Sequence, residues 1–427
     1  MTAGVTQPAV PAGTAEDATG KNTAISQAGE SRLTRLESLR ALGSIAVLLT
    51  HTLALSLAGA PLEESYKNRL IYGNGVLGLY LFFVMSGYLL YLPFARRHLR
   101  AGRKINLRRY ARNRLLRVVP VYYTAIAVLI ILVPHGVDRA DWWRWVTFTQ
   151  NFSTDSLHLL NAPVWSVAVE MQFYLVLPVV AWAIGRISGP SFRRTVGILA
   201  GLALVSWFMR TRGVVPGTDP GGSQTGLFGN YALPAYLYAF AAGMLLAVAR
   251  LAWERRPPRW AGWPVLGASG AWLAGAAVLQ IIGCTDFAIH EYLLAFIATI
   301  VIGACVLPLR DGKLVSVLEW RPLAALGVAS LSLYLWHWPI LQEISGVHVQ
   351  GLPEGSIRVE GDVYDFKRLL IYGLPPSIAA GLFSYWLIER PFLRRRLGWG
   401  GTAAAAPTAP VDASSPPEAA TAPPRSG

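Results

Sequence analysis

Long apolar runs, broken by short basic or polar stretches, fill this chain from residue 39 to residue 388. Runs long enough to span the hydrocarbon of a bilayer lie at 39–59, 76–95, 115–134, 164–184 and 194–210, the last being the shortest. Five more lie at 232–251, 263–283, 290–309, 324–344 and 368–388. The pattern predicts an all-α fold, a polytopic transmembrane bundle of about ten helices. No internal repeat is visible in it. Residues 1–31 hold Pro, Gly, Ala and Thr without the apolar core of a signal peptide, so the first run is expected to act as an uncleaved anchor. Residues 398–427 are rich in Pro and Ala. Both ends offer too little to bury, and they are predicted to be disordered tails around a membrane domain at 32–397.

Composition agrees with the pattern. The chain is 53% hydrophobic and 15% charged, with a mean hydropathy of +0.40. Those values belong to membrane proteins rather than soluble domains of this length. A net charge of +14 raises nucleic acid as a partner. The basic residues cluster between apolar runs, however, so topology explains them better and no nucleic-acid partner is expected. They include Arg96, Arg97, Arg100, Arg103, Lys104, Arg108, Arg109, Arg112 and Arg114 after the second run, and Arg186, Arg193 and Arg194 after the fourth. Arg255, Arg256 and Arg259 follow the sixth, Arg310, Lys313 and Arg321 the eighth, and Arg394, Arg395 and Arg396 the tenth. All fall on one side if the helices alternate, while the opposite loops hold Glu354, Glu360, Asp362 and Asp365. Basic loops stay in the cytoplasm, which predicts both termini inside. Asp141-Trp-Trp-Arg-Trp145 is expected to lie at the outer interface. Cys284 and Cys305 form neither a disulfide framework nor a metal-ligand pattern, and both are expected to be packing residues.

Candidate chemistry begins in the first run. Arg40 and His51 stand eleven residues apart, which a helix converts to about three turns, one shared face and a rise of about 16 Å. Ionisable groups inside a membrane are costly and usually line a functional cavity. Only His51 and His337, of seven histidines, fall well inside the predicted spans, and Glu170 is the intramembrane carboxylate. Counted along their helices, all three lie near the midplane or in the outer half. A buried hydrogen-bonded pair that specifies packing is the bland alternative. Three such groups at similar depth, with Arg40 beneath His51, favour a site.

Ser86-Gly87, inside Phe82-Phe-Val-Met-Ser-Gly-Tyr88, suits either a close helix contact or a thin wall beside a substrate channel. Arg114 and Arg117 share a helix face at the start of the third helix, where two guanidiniums can converge on phosphate. Positive-inside topology explains them as well. Glu389-Arg390-Pro391 reads by default as a helix stop with a local ion pair.

Taken together, these segments resemble the acyltransferase-3 family of integral membrane acyltransferases, from about Arg35 to Pro391. Leu36-Glu-Ser-Leu-Arg40 through His51 is similar to the family's Arg-x10-His helix, with Glu37 where many members have Asp. Phe82 to Tyr88, Arg114-Leu-Leu-Arg117, Trp165 to Tyr174, Ser332-Leu-Tyr-Leu-Trp-His337 and Ile388-Glu-Arg-Pro391 follow in the family's order. The resemblance implies transfer of an acyl group, commonly acetyl, from acyl-coenzyme A to a hydroxyl, usually on a sugar. It implies His51 and Arg40 as the catalytic pair, with Arg114 and Arg117 on the coenzyme. Ser86, Gly87 and Tyr88 join the coenzyme side, and Trp165 and Tyr174 are substrate-binding candidates. Some members carry an extracellular esterase-like domain, whereas a stand-alone bundle is expected here. No permanently bound cofactor is expected. The implied partners are the lipid bilayer, acyl-CoA as co-substrate and a carbohydrate-containing acceptor, and the implied location is the cytoplasmic membrane of a bacterium.

An imidazole titrates near the working range, so His51 suits a base that removes the acceptor's proton, or a group that first receives the acyl chain. Glu170 or His337 would orient it, and Arg40 would favour the thioester oxyanion. Envelope glycans, exopolysaccharides, glycolipids and macrolide-type metabolites all remain open as acceptors. A secondary transporter using Glu170, His51 and His337 as a proton relay is the competing expectation, and an inactive membrane scaffold is a third.

Overall fold

The computed structural model describes residues 13–56, 66–132, 142–153, 160–211, 231–254, 287–307, 316–346, 348–351, 357–360 and 366–395, with isolated positions between 267 and 275. The expected helix at 263–283, Cys284 and the tail at 398–427 otherwise lie outside the described residues. In chain order the helices are α1 (Gly13–Ser56), α2 (Tyr66–Leu99), α3 (Leu107–Leu132), α4 (Trp142–Val146), α5 (Trp165–Ser188) and α6 (Phe192–Thr211). Then come α7 (Leu233–Ala252), α8 (Phe287–Val306), α9 (Arg321–Val328) and α10 (Ser330–Ser345). The last, α11 (Phe366–Arg394), contains π-helical turns at Leu369–Gly373 and Tyr385–Glu389. Two short strands, β1 (His348–Gly351) and β2 (Ile357–Glu360), pair antiparallel between α10 and α11. The apolar pattern does not foresee that hairpin. Nor does it foresee that α1 is helical back to Gly13, inside the expected tail.

Among the described residues, seven helices are long and apolar enough to cross a membrane, and α9 and α10 together make an eighth candidate bent by 68°. Every expected span except 263–283 has a counterpart, with the apolar part of α8 the shorter Glu291–Val306. This is a multi-pass membrane protein. Leu175, Val179, Trp182, Leu204, Phe383 and Leu387 are exposed large apolar residues of the kind that lipid covers.

Helix α2 packs against α1, α5, α7 and α8. Its contact with α7 is reciprocal. A Cβ on Gly87 would run into the carbonyl of Phe240, and one on Gly243 into the carbonyl of Val84. Small residues let helices approach backbone to backbone, and in lipid that close packing is a principal source of association. The close-contact reading therefore holds for Gly87.

Prolines inside helices leave carbonyls without their usual donor four residues later. Pro178 frees the carbonyl of Tyr174, which accepts from the Tyr110 hydroxyl at 3.0 Å. Pro339 frees the carbonyl of Leu335, which accepts from Asn161 Nδ2 at 2.8 Å. The chain then breaks at Ala329, which ends α9 and begins α10. That bend brings Ser330 and Leu331 to the rim of a polar cavity.

Outside the spans, α4 divides its tryptophans: Trp142 and Trp143 are exposed, whereas Trp145 is buried. The hydroxyls of Tyr122 and Tyr123 hold its end through the carbonyls of Trp145 and Val146. The interfacial reading thus fits the first two tryptophans only.

Candidate functional site

Arg40 from α1, Phe82 and Ser86 from α2, Arg114, Arg117 and Val118 from α3, Glu170 and Tyr174 from α5, and Ser330 and Leu331 from α10 line one cavity. It holds about 510 Å³ of empty space, counting its open mouth. Glu170 accepts from the hydroxyls of Ser86 and Tyr174, each at 2.5 Å. Two short donors fix the carboxylate's direction, and Tyr174 is held in turn by its place one helical turn on.

The cavity's arginines are not equivalent. Arg40 bonds back to Glu37 at 2.7 Å, one turn earlier on α1. Arg117 meets Glu389 at 2.6 Å and bonds the carbonyl of Val328 at 3.2 Å. Arg114 lies with its guanidinium 5.8 Å from the centre of the Tyr174 ring and has no carboxylate partner among the described residues. Its Nε is buried without an acceptor. Of the three, Arg114 is the guanidinium left to meet an anion.

The ion pair at Glu389 corrects the local reading of Glu389-Arg390-Pro391. The π-helical turn Tyr385–Glu389 rotates the carboxylate inward, where it takes Arg117 and the Ser332 hydroxyl (2.7 Å). Arg390 instead stacks over Trp386 at 3.8 Å. A widened turn shifts side chains off the regular helical register, so spacing along the sequence misplaces this one.

Three turns along α1 from Arg40, His51 Nδ1 lies 2.8 Å from His337 Nε2. The rings are stacked at 5.0 Å, and Trp338 meets His51 edge-on at 5.1 Å. His337 is 0% exposed, and its Nδ1 lies 3.3 Å from the carbonyl of Leu333. A carbonyl only accepts, so Nδ1 of His337 carries the proton and its Nε2 is a lone pair. That lone pair takes the Nδ1 proton of His51. In the neutral pair, Nε2 of His51 is then left as a free base.

One stretch of α10 makes most of these links. Ser332 holds Glu389, Leu333 orients His337, and the Tyr334 hydroxyl donates to the carbonyl of Pro163 at 2.6 Å and meets Ser166 at 2.7 Å. Leu335 holds Asn161, while His337 and Trp338 contact His51.

The expected residues therefore separate into groups. His51 and His337 meet. Arg40, Ser86, Glu170, Tyr174, Arg114 and Arg117 share the cavity, and the imidazole pair is not among its lining residues. Glu170 makes its contacts with Ser86 and Tyr174 and leaves the contact with His51 to His337. Arg40 turns back to Glu37, so Arg40 and His51 are the two ends of one face rather than partners in one contact. Gly87 and Tyr88 are buried but do not line the cavity. Trp165 packs on Tyr231 and Tyr236, at 5.0 and 5.1 Å, away from the cavity.

The sequence reading missed Asn161 and Ser332. It also missed a second buried carboxylate, Glu291, which is paired with Arg210 beside Tyr236. Both charges stand at helix ends, where snorkelling to the interface is the ordinary reading. His98 bonds Phe94 and Thr195, a structural role, and Cys305 is a buried free thiol. No group of residues suited to a metal ion occurs among the described residues.

Comparison with known proteins places these features in context. Residues 33–346 match the acyltransferase-3 family, described as an acyltransferase domain. The O-acetyltransferase OatA of Staphylococcus aureus is 27% identical over 396 residues, covering 84% of this chain and 57% of that protein. The putative peptidoglycan O-acetyltransferase YrhL of Bacillus subtilis is 26% identical over 390 residues, covering 83% and 54%. The peptidoglycan O-acetyltransferase OatA of Listeria monocytogenes is 26% identical over 335 residues, covering 72% and 49%. The chain thus spans about half the length of the curated relatives it matches. No solved structure matches it.

Proposed function

The chain belongs to the acyltransferase-3 family, and on that premise we propose that it is a membrane O-acyltransferase that moves an acyl group, first of all acetyl, from acyl-coenzyme A to a carbohydrate hydroxyl. The observation that carries this reading is the imidazole pair at the far end of a helical face whose near end opens on an arginine-lined cavity. The relatives' names make an envelope glycan, and peptidoglycan before others, the leading acceptor. The loop charges favour a cytoplasmic face for the cavity and for both termini, in the cytoplasmic membrane of a bacterium.

Each part has a chemical duty. Arg114 meets the coenzyme phosphates, while Arg40 and Arg117, each paired with a glutamate, line the mouth beside it. The pantetheine arm runs along the α1 face, past Ser86, and brings the thioester to His51. Arg40, turned toward Glu37, is better placed for this anionic end of the coenzyme than for the thioester oxyanion. At the far end, Nε2 of His51 takes the proton of the acceptor hydroxyl as its oxygen attacks the thioester carbonyl. The carbon–sulfur bond breaks, and the imidazolium returns the proton to the departing thiolate. His337 holds the tautomer that leaves Nε2 free.

The test is direct. Protein reconstituted in vesicles is supplied with acetyl-labelled acetyl-CoA and soluble muropeptides. The label should appear on the glycan as coenzyme A is released. Proton-coupled uptake with no ester formed would overturn the proposal in favour of a transporter.

A further inference from the structure

Asn161 is fully buried, at 0% exposure, just before the helix that carries Glu170. Its amide is locked. Nδ2 donates to the carbonyl of Leu335 at 2.8 Å, an acceptor that is free because Pro339 has no N–H. Flipping the amide would set two oxygens against each other, so the direction of Oδ1 is fixed. That Oδ1 is buried and has no donor among the described residues. A buried acceptor left unpaired is costly and rare enough to call for an explanation.

Its neighbourhood supplies one. Leu335 lies two residues before His337, which holds His51. Ala162, next to Asn161, packs on the apolar cluster of Leu55 and Trp338, and Trp338 touches the His51 ring. The amide is therefore fastened to the turn of α10 that carries His337, the partner of His51. It also stands nine residues before Glu170, one 3-10 turn and about one and a half turns of α5 away from that cavity side chain.

We propose that Asn161 binds the acceptor, its Oδ1 accepting a hydrogen bond from a donor adjacent to the reacting hydroxyl. The reacting hydroxyl has a single proton, and His51 takes it. The bond to Asn161 must then come from a second group, a vicinal hydroxyl or an N-acetyl N–H. The site so built selects carbohydrates over simple alcohols, because a ligand without the second donor leaves Oδ1 unpaired. This inference rests on the acyl-transfer reading above.

Asn161 also anchors α10, and one background separates the two duties. In Pro339→Ala the helix supplies its own N–H to the Leu335 carbonyl, whose second lone pair still accepts Nδ2, so Asn161 keeps its orientation but no longer carries the anchor alone. Asn161→Ala is compared with Asn161 in that background, using acetyl-CoA with methyl N-acetylglucosaminide or with n-butanol. The added substitution should lower kcat/KM for the glucosaminide roughly three- to tenfold, the worth of one neutral hydrogen bond, and leave butanol unaffected. Equal kcat/KM for the sugar, or equal losses for both acceptors, would overturn the proposal. If Pro339→Ala fails to accumulate, the sugar-to-butanol ratio of Asn161→Ala alone decides. A fall in that ratio supports acceptor binding, and an unchanged ratio leaves only the anchor. Wild-type protein that releases no coenzyme A with either acceptor removes the underlying reading as well.

Discussion

Arg117 lies 2.6 Å from Glu389, and the carboxylate that receives it is 1% exposed. The pair joins α3 to the π-helical end of α11, so its removal should act on stability first. Glu389→Ala leaves a mostly buried guanidinium without its carboxylate, with only the Val328 carbonyl and the cavity to face, and should cost about 3 kcal/mol, the low end for breaking a buried pair. The double variant Arg117→Met/Glu389→Leu should recover most of that loss. Thermal unfolding in detergent micelles checks both, and equal Tm values for Glu389→Ala and wild type would refute the assignment.

Arg114 should behave in the opposite way. Among the described residues it has no carboxylate to lose, so Arg114→Ala should leave Tm almost unchanged. The KM for acetyl-CoA should rise roughly ten- to hundredfold, as expected for one charge-assisted contact. Steady-state kinetics on vesicles, run beside Arg117→Ala, distinguish the two arginines of the one motif.

The imidazole pair predicts unequal losses. His51→Ala should abolish transfer while the protein still accumulates in the membrane. His337→Gln, which frees the His51 tautomer, should lower kcat by about 10²- to 10⁴-fold with little change in donor KM. Comparable kcat for His337→Gln and wild type would mean that the second ring serves packing alone.

Backbone contact between α2 and α7 predicts intolerance at two glycines. Gly87→Val and Gly243→Val must push apart helices that meet at the carbonyls of Phe240 and Val84. Both should reduce the yield of monodisperse protein in size-exclusion chromatography, independently of any substrate. Wild-type yield from either would show that α2 and α7 can separate freely.

The spans were legible because lipid leaves a chain few alternatives. An apolar run of the right length has to satisfy its own backbone, and the helix does so. Arg40 and His51 were legible for the same reason, since one helix carries both. What failed to register lies between helices. Glu389 is presented by a π-helical turn, which breaks the spacing on which a helical reading depends. Asn161 takes its meaning from a carbonyl that Pro339 vacates on a distant helix. Glu291 and Arg210 each look like ordinary helix-end charges until they are seen paired. Spacing places Ser86 and Gly87 side by side, but only packing turns Ser86 to Glu170 and Gly87 to Phe240.

His51 and His337 are separated by 286 positions in the chain. A ribosome adding roughly 5–20 residues per second would need many seconds to pass from one to the other. During that interval the first helix stands in the membrane with its imidazole unaccompanied. Nothing downstream has yet been made to hold the ring's proton in place. On the proposed mechanism the chemistry is thus withheld from the nascent protein, and an unfinished chain would be a silent one.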